Sequence, residues 1–440
     1  MPLEIPAYPE GWSKPNVATG RRFRIELITP LFGGGVDPGV CDESFPIRPT
    51  SIRGQLQFWW RATAGARYNS NEDLRDRQSA VWGNTERASP VEVRVLELQA
   101  SRVEPCAHFE SDQRNPGTYR SMPKWNEPFV GSLSYALFPF QGQLANGRKQ
   151  IEKAPASCIH QAAFQLEIRC PDELWPEVEE AFRAWILFGG LGSRTRRGCG
   201  SLRCAEFAPK DHNHLISILR DYVRDRSSEQ KWPKWPTLAN AILVGSEKKE
   251  ANSAWEDAVA LLRDFRQGVG IGRNPGQDPK RPGRSRWPEP DTIRRITKRH
   301  SREHKPNEKM PDGFPRAELG LPIVFHFKDP GDPQDSVLYP GPIGKGEKRD
   351  RMASPLILKA TALGNGQFVP LVVRLKAPRP EGVDLRERER SLPLEKPVSV
   401  RDPKFAVYDN SPLKGRSRFG SALEGFINYA RSQGFAEVTA

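Results

Sequence analysis

The stretch Gly189–Leu202 reads GGLGSRTRRGCGSL: five glycines, three arginines within four positions, and no acid. Its flanks decide how it is read. Before it, PDELWPEVEEAFRAWILF (171–188) carries Trp175, Val178, Phe182, Trp185 and Ile186 at helical spacing. Asp172 is placed to cap that helix, acids crowd its first turns as the helix dipole favours, and Gly189 is placed to end it. After it, SLRCAEF (201–207) reads as a strand. A glycine-rich loop between a helix and a strand, with cations and no carboxylate, is suited to anions, because successive backbone N–H groups converge there. A helix C-cap with a tight turn and solvated arginines is the plainer reading of the same residues.

Working outward, RRFRIELIT (21–29) places Phe23, Ile25 and Leu27 on one strand face, and runs into Gly33, Gly34 and Gly35. Then IRPTSIRGQLQFWWRATAGARY (47–68) predicts a helix, with Thr50 or Ser51 as cap and Ile52, Leu56, Trp59 and Trp60 as its apolar stripe. The two tryptophans read as core. Strands are expected at VEVRVLEL (91–98), around SLSYALFPF (132–140) and in AFQLEIR after residue 162. The order β, α, β, β, α, β is the ferredoxin-like arrangement, whose sheet has two helices on one face and one face free. In many such domains the free face or its rim meets RNA. Simple topology suggests that the loop after the first strand and the loop after the second helix lie at opposite ends of the sheet.

The rest reads as a second α+β lobe of undetermined strand order, giving a division into 1–209 and 210–440 with long loop insertions, as expected for 440 residues. Residues 212–268 look mainly helical. Residues 273–309 hold twelve basic and five acidic residues, an excess of seven, and read as an insertion that is helical over 291–304. Strands are expected at LGLPIVFHF (319–327), SPLILKATAL (354–363) and FVPLVVRLK (368–376), and a last helix in SRFGSALEGFINYARSQG.

The composition, 37% hydrophobic and 28% charged, allows a real core. A net charge of +13 and a pI near 9.5 favour a polyanionic partner, either nucleic acid or an anionic surface. No apolar run approaches the roughly 20 residues that span a bilayer, and MPLEIPAYPEGWSKP lacks a signal pattern, so a cytoplasmic protein with no membrane partner is expected. The six cysteines form no CxxC pair and read as buried reduced thiols.

No Walker loop, Rossmann fingerprint, HExxH or Gly-x-Ser-x-Gly motif is present. His212-x-His214 and His300-xxx-His304 have metal-compatible spacing but no completing ligands in sequence, and read as solvated. No metal, cofactor or catalytic set is nominated.

The glycine loop resembles the signature loop of the RAMP superfamily of CRISPR proteins. The pairing of TPLFGGG (29–35) with IRPTSIRGQLQFWWRA (47–62) is similar to the end-capping subunit family of type III-B Cmr effector complexes, with further matches at WGN (82–84), FPRAELGLPIVFHF (314–327) and RMASPLILKATAL (351–363). The resemblance implies two ferredoxin-like lobes and a non-catalytic RNA-binding subunit. Its partners would be CRISPR guide RNA, target single-stranded RNA, other RAMP subunits and the backbone subunits. Gly192, Ser193, Arg194, Arg196 and Arg197 match the signature loop, and Arg48, Thr50, Ser51 and Arg53 match the N-terminal unit. Gly33, Gly34 and Gly35 join them as candidate RNA contacts, as do Lys345, Lys348, Arg349 and Arg351 from the second lobe. Cys199 stands where RAMP loops often carry an aromatic residue. A RAMP endoribonuclease using His160, and a protein–protein scaffold, are the alternative functions.

Overall fold

The computed structural model describes residues 20–35, 37, 39–224, 235–276, 283–308, 312–341, 349–377, 382–387, 398–399 and 421–439. Two four-stranded antiparallel sheets organise it. In the first, β1 (Gly20–Leu27), β2 (Glu92–Ala100), β3 (Ala162–Arg169) and β4 (Leu202–Cys204) stand in the order β4-β1-β3-β2. The register pairs Phe23 with Leu166 and Ile25 with both Phe164 and Cys204. Helix α1 (Pro49–Ala62) connects β1 to β2, and α2 (Trp175–Phe188) connects β3 to β4. The two helices pack together, with Trp60 Nε1 donating to Glu177 Oε2 at 2.9 Å.

Helix α1 starts differently from its sequence expectation. Pro49 opens it, Arg48 stands at the cap position, and neither Thr50 nor Ser51 caps it through its side chain. A proline supplies the helical φ and has no N–H to satisfy. Asp172 instead begins a short 3-10 turn ahead of α2 and pairs with Arg21 at 2.5 Å. The stretch 132–140 is not a strand: Ser132–Leu137 is a helical turn and a half, with Leu133, Ala136 and Leu137 buried. Apolar residues spaced by three and four outweigh the β-forming aromatics there.

The second sheet comprises β5 (Thr237–Val244), β6 (Leu356–Ala362), β7 (Phe368–Lys376) and β8 (Ala436–Glu437), in the order β6-β7-β5-β8. Helices α3 (Ala251–Gln267) and α4 (Ala422–Ser432) lie between β5 and β6 and between β7 and β8. Strand β5 corrects the helical reading of 212–268, because TLANAILV lacks the alternation of a half-exposed strand. The sheet is covered on both faces, which removes that alternation. Every residue of β6 is buried. Ile357 joins a core shared with α1 and α2, whereas Leu356 and Leu358 join one shared with α3 and α4. The two halves therefore share a continuous apolar core.

A third, smaller sheet forms from Ile323–Phe325, Ser336–Pro340, Gly382–Glu387 and Val398–Ser399. The basic insertion builds against it. Its helix is Glu289–Thr297, shorter than 291–304 at its end, and Ile293 packs with Phe314, Leu338 and Leu385. Part of its charge is neutralised internally. Asp291, buried, pairs with Arg284 at 2.7 Å and Arg294 at 3.2 Å, and Arg294 also holds Asp332 at 3.0 Å. His304 is part of this network, 3.0 Å from Asp329 and 3.1 Å from Asp332, rather than solvated. Both Asp332 oxygens already accept from Arg294. Among the described residues, no helix is long and apolar enough to cross a membrane.

Candidate nucleic-acid interface

Strand polarity in the first sheet puts the end of β1 and the start of β4 side by side, since the two pair antiparallel. The triglycine turn and the glycine loop thus lie at the same end of the sheet, not at opposite ends. Three backbone bonds join them: Ile28 N to Ser201 O (2.9 Å), Gly200 N to Pro30 O (2.9 Å) and Ser193 N to Phe32 O (2.7 Å). Thr29 Oγ1 adds a bond to Gly198 O at 2.6 Å and accepts from Ser201 N at 2.8 Å. The approach is close enough that a Cβ on Gly33 would lie 2.6 Å from Ser193 Oγ. Gly200, at φ +65°, sits where a Cβ would come 1.9 Å from Leu191 O. Much of the glycine content therefore serves chain-on-chain packing.

The arginines divide by what they touch. Arg196 Nη1 donates to Ser354 O at 2.5 Å, and Arg197 Nη1 to Leu356 O at 3.0 Å. Trp255 Nε1 of α3 donates back to Arg197 O at 2.5 Å. These bonds tie the loop to the second half. Arg194, at φ +58°, leans toward Phe140 at 6.0 Å, and its buried Nε has no hydrogen-bond partner among the described residues. No ion pair joins any of the three to a carboxylate among the described residues. Burial lowers all three guanidinium pKa values, Arg197 to about 9 with Arg194 adding to the effect. An arginine stays charged at neutral pH, so this is a desolvated cluster of positive charge without a carboxylate partner among the described residues.

Helix α1 contributes the neighbouring surface. Thr50 and Ser51 are exposed at its N-terminus, and its first turn has no acid. Arg48 pairs with Asp42 at 2.5 Å, and the Arg53 guanidinium donates to the carbonyl of Trp82. Gly33 and Gly34 take φ of +81° and +108°, and Gly35 N bonds Val40 O at 3.0 Å. Arg349 and Arg351 are exposed, Arg351 three residues before the Ser354 that receives Arg196. Lys345 and Lys348 lie outside the described residues.

The free face of the first sheet offers a different surface. Arg22 and Arg169 both pair with Glu167, at 3.0 and 3.1 Å, and Arg24 and Arg203 with Glu26, at 3.2 and 3.5 Å. Its outward positions carry charge already matched and no aromatic ring.

All six cysteines are buried and unpaired. Burial pushes the Cys106 and Cys199 thiols up to about 12. Cys199 is wholly inside and presents nothing to a ligand. His160 stands 3.5 Å from Cys158 Sγ and 3.7 Å from Glu104, with its ring against Phe129.

A feature the sequence did not disclose is a cavity of about 190 Å³ in the seam between the halves. Its walls are Gln55, Phe58 and Trp59 of α1, Phe188 and Gly189 at the end of α2, Thr195 and Arg196 of the loop, and Ile357 of β6. The Arg196 guanidinium lies over the Phe58 ring at 5.6 Å. Ser51, Gln55 and Phe58 share one face of α1, a spacing that exists in the sequence but gains meaning only once the loop closes over it.

Residues 24–203, from β1 through the glycine loop, match the RAMP superfamily model. CRISPR system Cmr subunit Cmr1-2 of Pyrococcus furiosus is 29% identical over 191 residues, which are 41% of this chain and 92% of that protein. Among solved structures, Cmr1 from Pyrococcus furiosus in its apo form aligns over 96% of this chain and 99% of its own, with 16% identity and a TM-score of 0.43. A chain of the type III-B Cmr-beta assembly bound to cognate target RNA and AMPPnP aligns over 82% of this chain and 95% of its own, with 12% identity and a TM-score of 0.47. Residues 24–203 of this chain are accordingly similar to the RAMP superfamily, and the chain resembles the CRISPR system Cmr subunit Cmr1-2.

Proposed function

We propose that this chain is a non-catalytic, sequence-tolerant RNA-binding subunit of a type III-B Cmr ribonucleoprotein effector in the cytoplasm. It holds the 3′ region of the guide RNA, or the guide–target duplex, beside other RAMP and backbone subunits. The observation that carries this reading is the cluster Arg194, Arg196 and Arg197, desolvated and without a carboxylate among the described residues. Phosphate supplies the missing charge. The likeness to a Cmr subunit supports the assembly.

Each four-stranded sheet, in chain order 4-1-3-2 with two helices between its strands, is read as a ferredoxin-like lobe, with the division at 209/210. RNA is assigned to the rim at the glycine loop and not to the free sheet face, because the latter is charge-matched and has no ring on which to stack a base. Arg194 is the principal loop contact, and the exposed Thr50, Ser51, Arg349 and Arg351 are further contacts. Arg196 and Arg197 contribute charge while anchoring the halves. Catalysis is not assigned. The neighbours of His160 are a thiol whose pKa is raised by burial, a phenyl ring and the Glu104 carboxylate, so the nuclease reading is left to the cleavage test below.

The test is RNA binding by the isolated chain across salt concentrations, with single-stranded and duplex RNA, and cleavage followed in EDTA. Salt-sensitive binding without cleavage is expected. Log affinity should fall by roughly 0.7 per phosphate contact on single strands, and Arg194→Ala should lower that slope. Metal-independent cleavage lost in His160→Ala would establish the nuclease instead.

A further inference from the structure

We propose that the seam cavity between α1, the end of α2 and the glycine loop receives one unstacked nucleobase of single-stranded RNA. The inference rests on the RNA-binding reading above and gives it a second component, one that reads the base and not the phosphate.

Three observations converge. The first is size: about 190 Å³ exceeds the roughly 150 Å³ in which a benzene ring fits, leaving room for a heterocycle with exocyclic groups. The second is chemistry. Phe58, Trp59 and Phe188 supply flat apolar walls, while Arg196, the Gln55 amide and the Thr195 hydroxyl supply polar groups. A ring entering the cavity meets aromatic and cationic groups on its wall, Phe58 with the Arg196 guanidinium beside it, the two kinds of group that RNA-binding sites use for splayed-out bases. An aliphatic side chain would use only the first, and an acidic one only the second. The third is placement. Arg194 and Arg197, without carboxylate partners among the described residues, flank Thr195 and Arg196 in sequence, so the cavity wall is part of the cationic loop. Trp59 and Phe188 are held in the core, and Arg196 is fixed by its bond to Ser354 O, so the walls are preorganised. Phe58 is the half-buried wall that can be changed without opening that core.

The experiment measures binding of a single-stranded RNA oligonucleotide by the full chain, using fluorescence anisotropy. The RNA is used intact and as a set carrying one abasic ribose at each position in turn. The unmodified chain is compared with Phe58→Ala and Gln55→Ala. Phe58→Ala should weaken intact RNA about tenfold, the scale of one base–aromatic stack, with an unchanged salt slope. One abasic position should produce the same loss in the unmodified chain, and Phe58→Ala should add nothing on that RNA. If binding is salt-sensitive but no abasic position matters, the base pocket is overturned and the RNA reading stands. If the two losses add in full, the pocket is likewise overturned. If the unmodified chain binds no RNA at low salt, both fall. Should Phe58→Ala fail to fold, Gln55→Ala and the abasic scan on the unmodified chain decide the question.

Discussion

Lys359 Nζ, from the fully buried β6, donates to Gly189 O at 2.9 Å and to Ile186 O at 3.0 Å. The second half thus closes the C-terminal end of α2, whose last carbonyls have no partner within the helix. The glycine loop begins on that lock.

The lock predicts a pH dependence. Burial pulls the Lys359 amine from 10.5 to about 7. Between those values the unfolded chain holds a proton that the folded chain lacks, so stability from this group rises as pH increases from about 7 toward 10.5 and is flat below. Urea unfolding of the protein and Lys359→Met at pH 7.5 and 9.5 should show the protein gaining on the variant, by no more than about 1.4 kcal/mol per pH unit. Parallel curves would show that the amine titrates normally.

Gly200 should be intolerant of alanine. Its φ of +65° and the 1.9 Å approach to Leu191 O combine backbone strain with a clash against main chain. Gly200→Ala should cost more than about 3 kcal/mol. Gly366→Ala, at φ +82° with open space around it, should cost only about 1 kcal/mol. The comparison of denaturant midpoints separates clash from strain.

The buried network of the basic insertion should be fragile at Arg294. Arg294→Ala leaves Asp332 without its bidentate partner and Asp291 with Arg284 and the Asn307 N–H. A loss of about 3–5 kcal/mol is expected in chemical denaturation, most of it recovered in Arg294→Met/Asp332→Leu. Equal losses in both variants would locate the cost in packing and not in the orphaned carboxylate.

Asp42 should restrain Arg48. Bonds from Phe45 N and Arg48 hold its carboxyl below the usual range. Asp42→Asn keeps an acceptor for the backbone N–H groups and releases the guanidinium. It should tighten RNA binding a few-fold and steepen the salt slope, whereas Arg48→Ala should weaken binding. Equal affinity in all three proteins would place Arg48 outside the contact.

The sequence by itself determined the local units. Alternation in Phe23, Ile25 and Leu27 gave β1, the Ile52–Leu56–Trp59 stripe gave α1, and the Trp175–Trp185 stripe ending at Gly189 gave α2. It also located the glycine loop and its lack of acids. Periodicity is legible wherever one face is wet. Only the tertiary structure decided the rest. Strand β5 was hidden because its sheet is covered on both sides, which erases the alternating pattern. Which loops meet was decided by antiparallel pairing of β1 with β4. That Arg196 and Arg197 spend hydrogen bonds on Ser354 and Leu356 while Arg194 does not depends on partners about 160 residues away, a distance over which no local pattern carries information. The seam cavity has the same origin: its walls come from four segments that become neighbours only when the two halves close on one core.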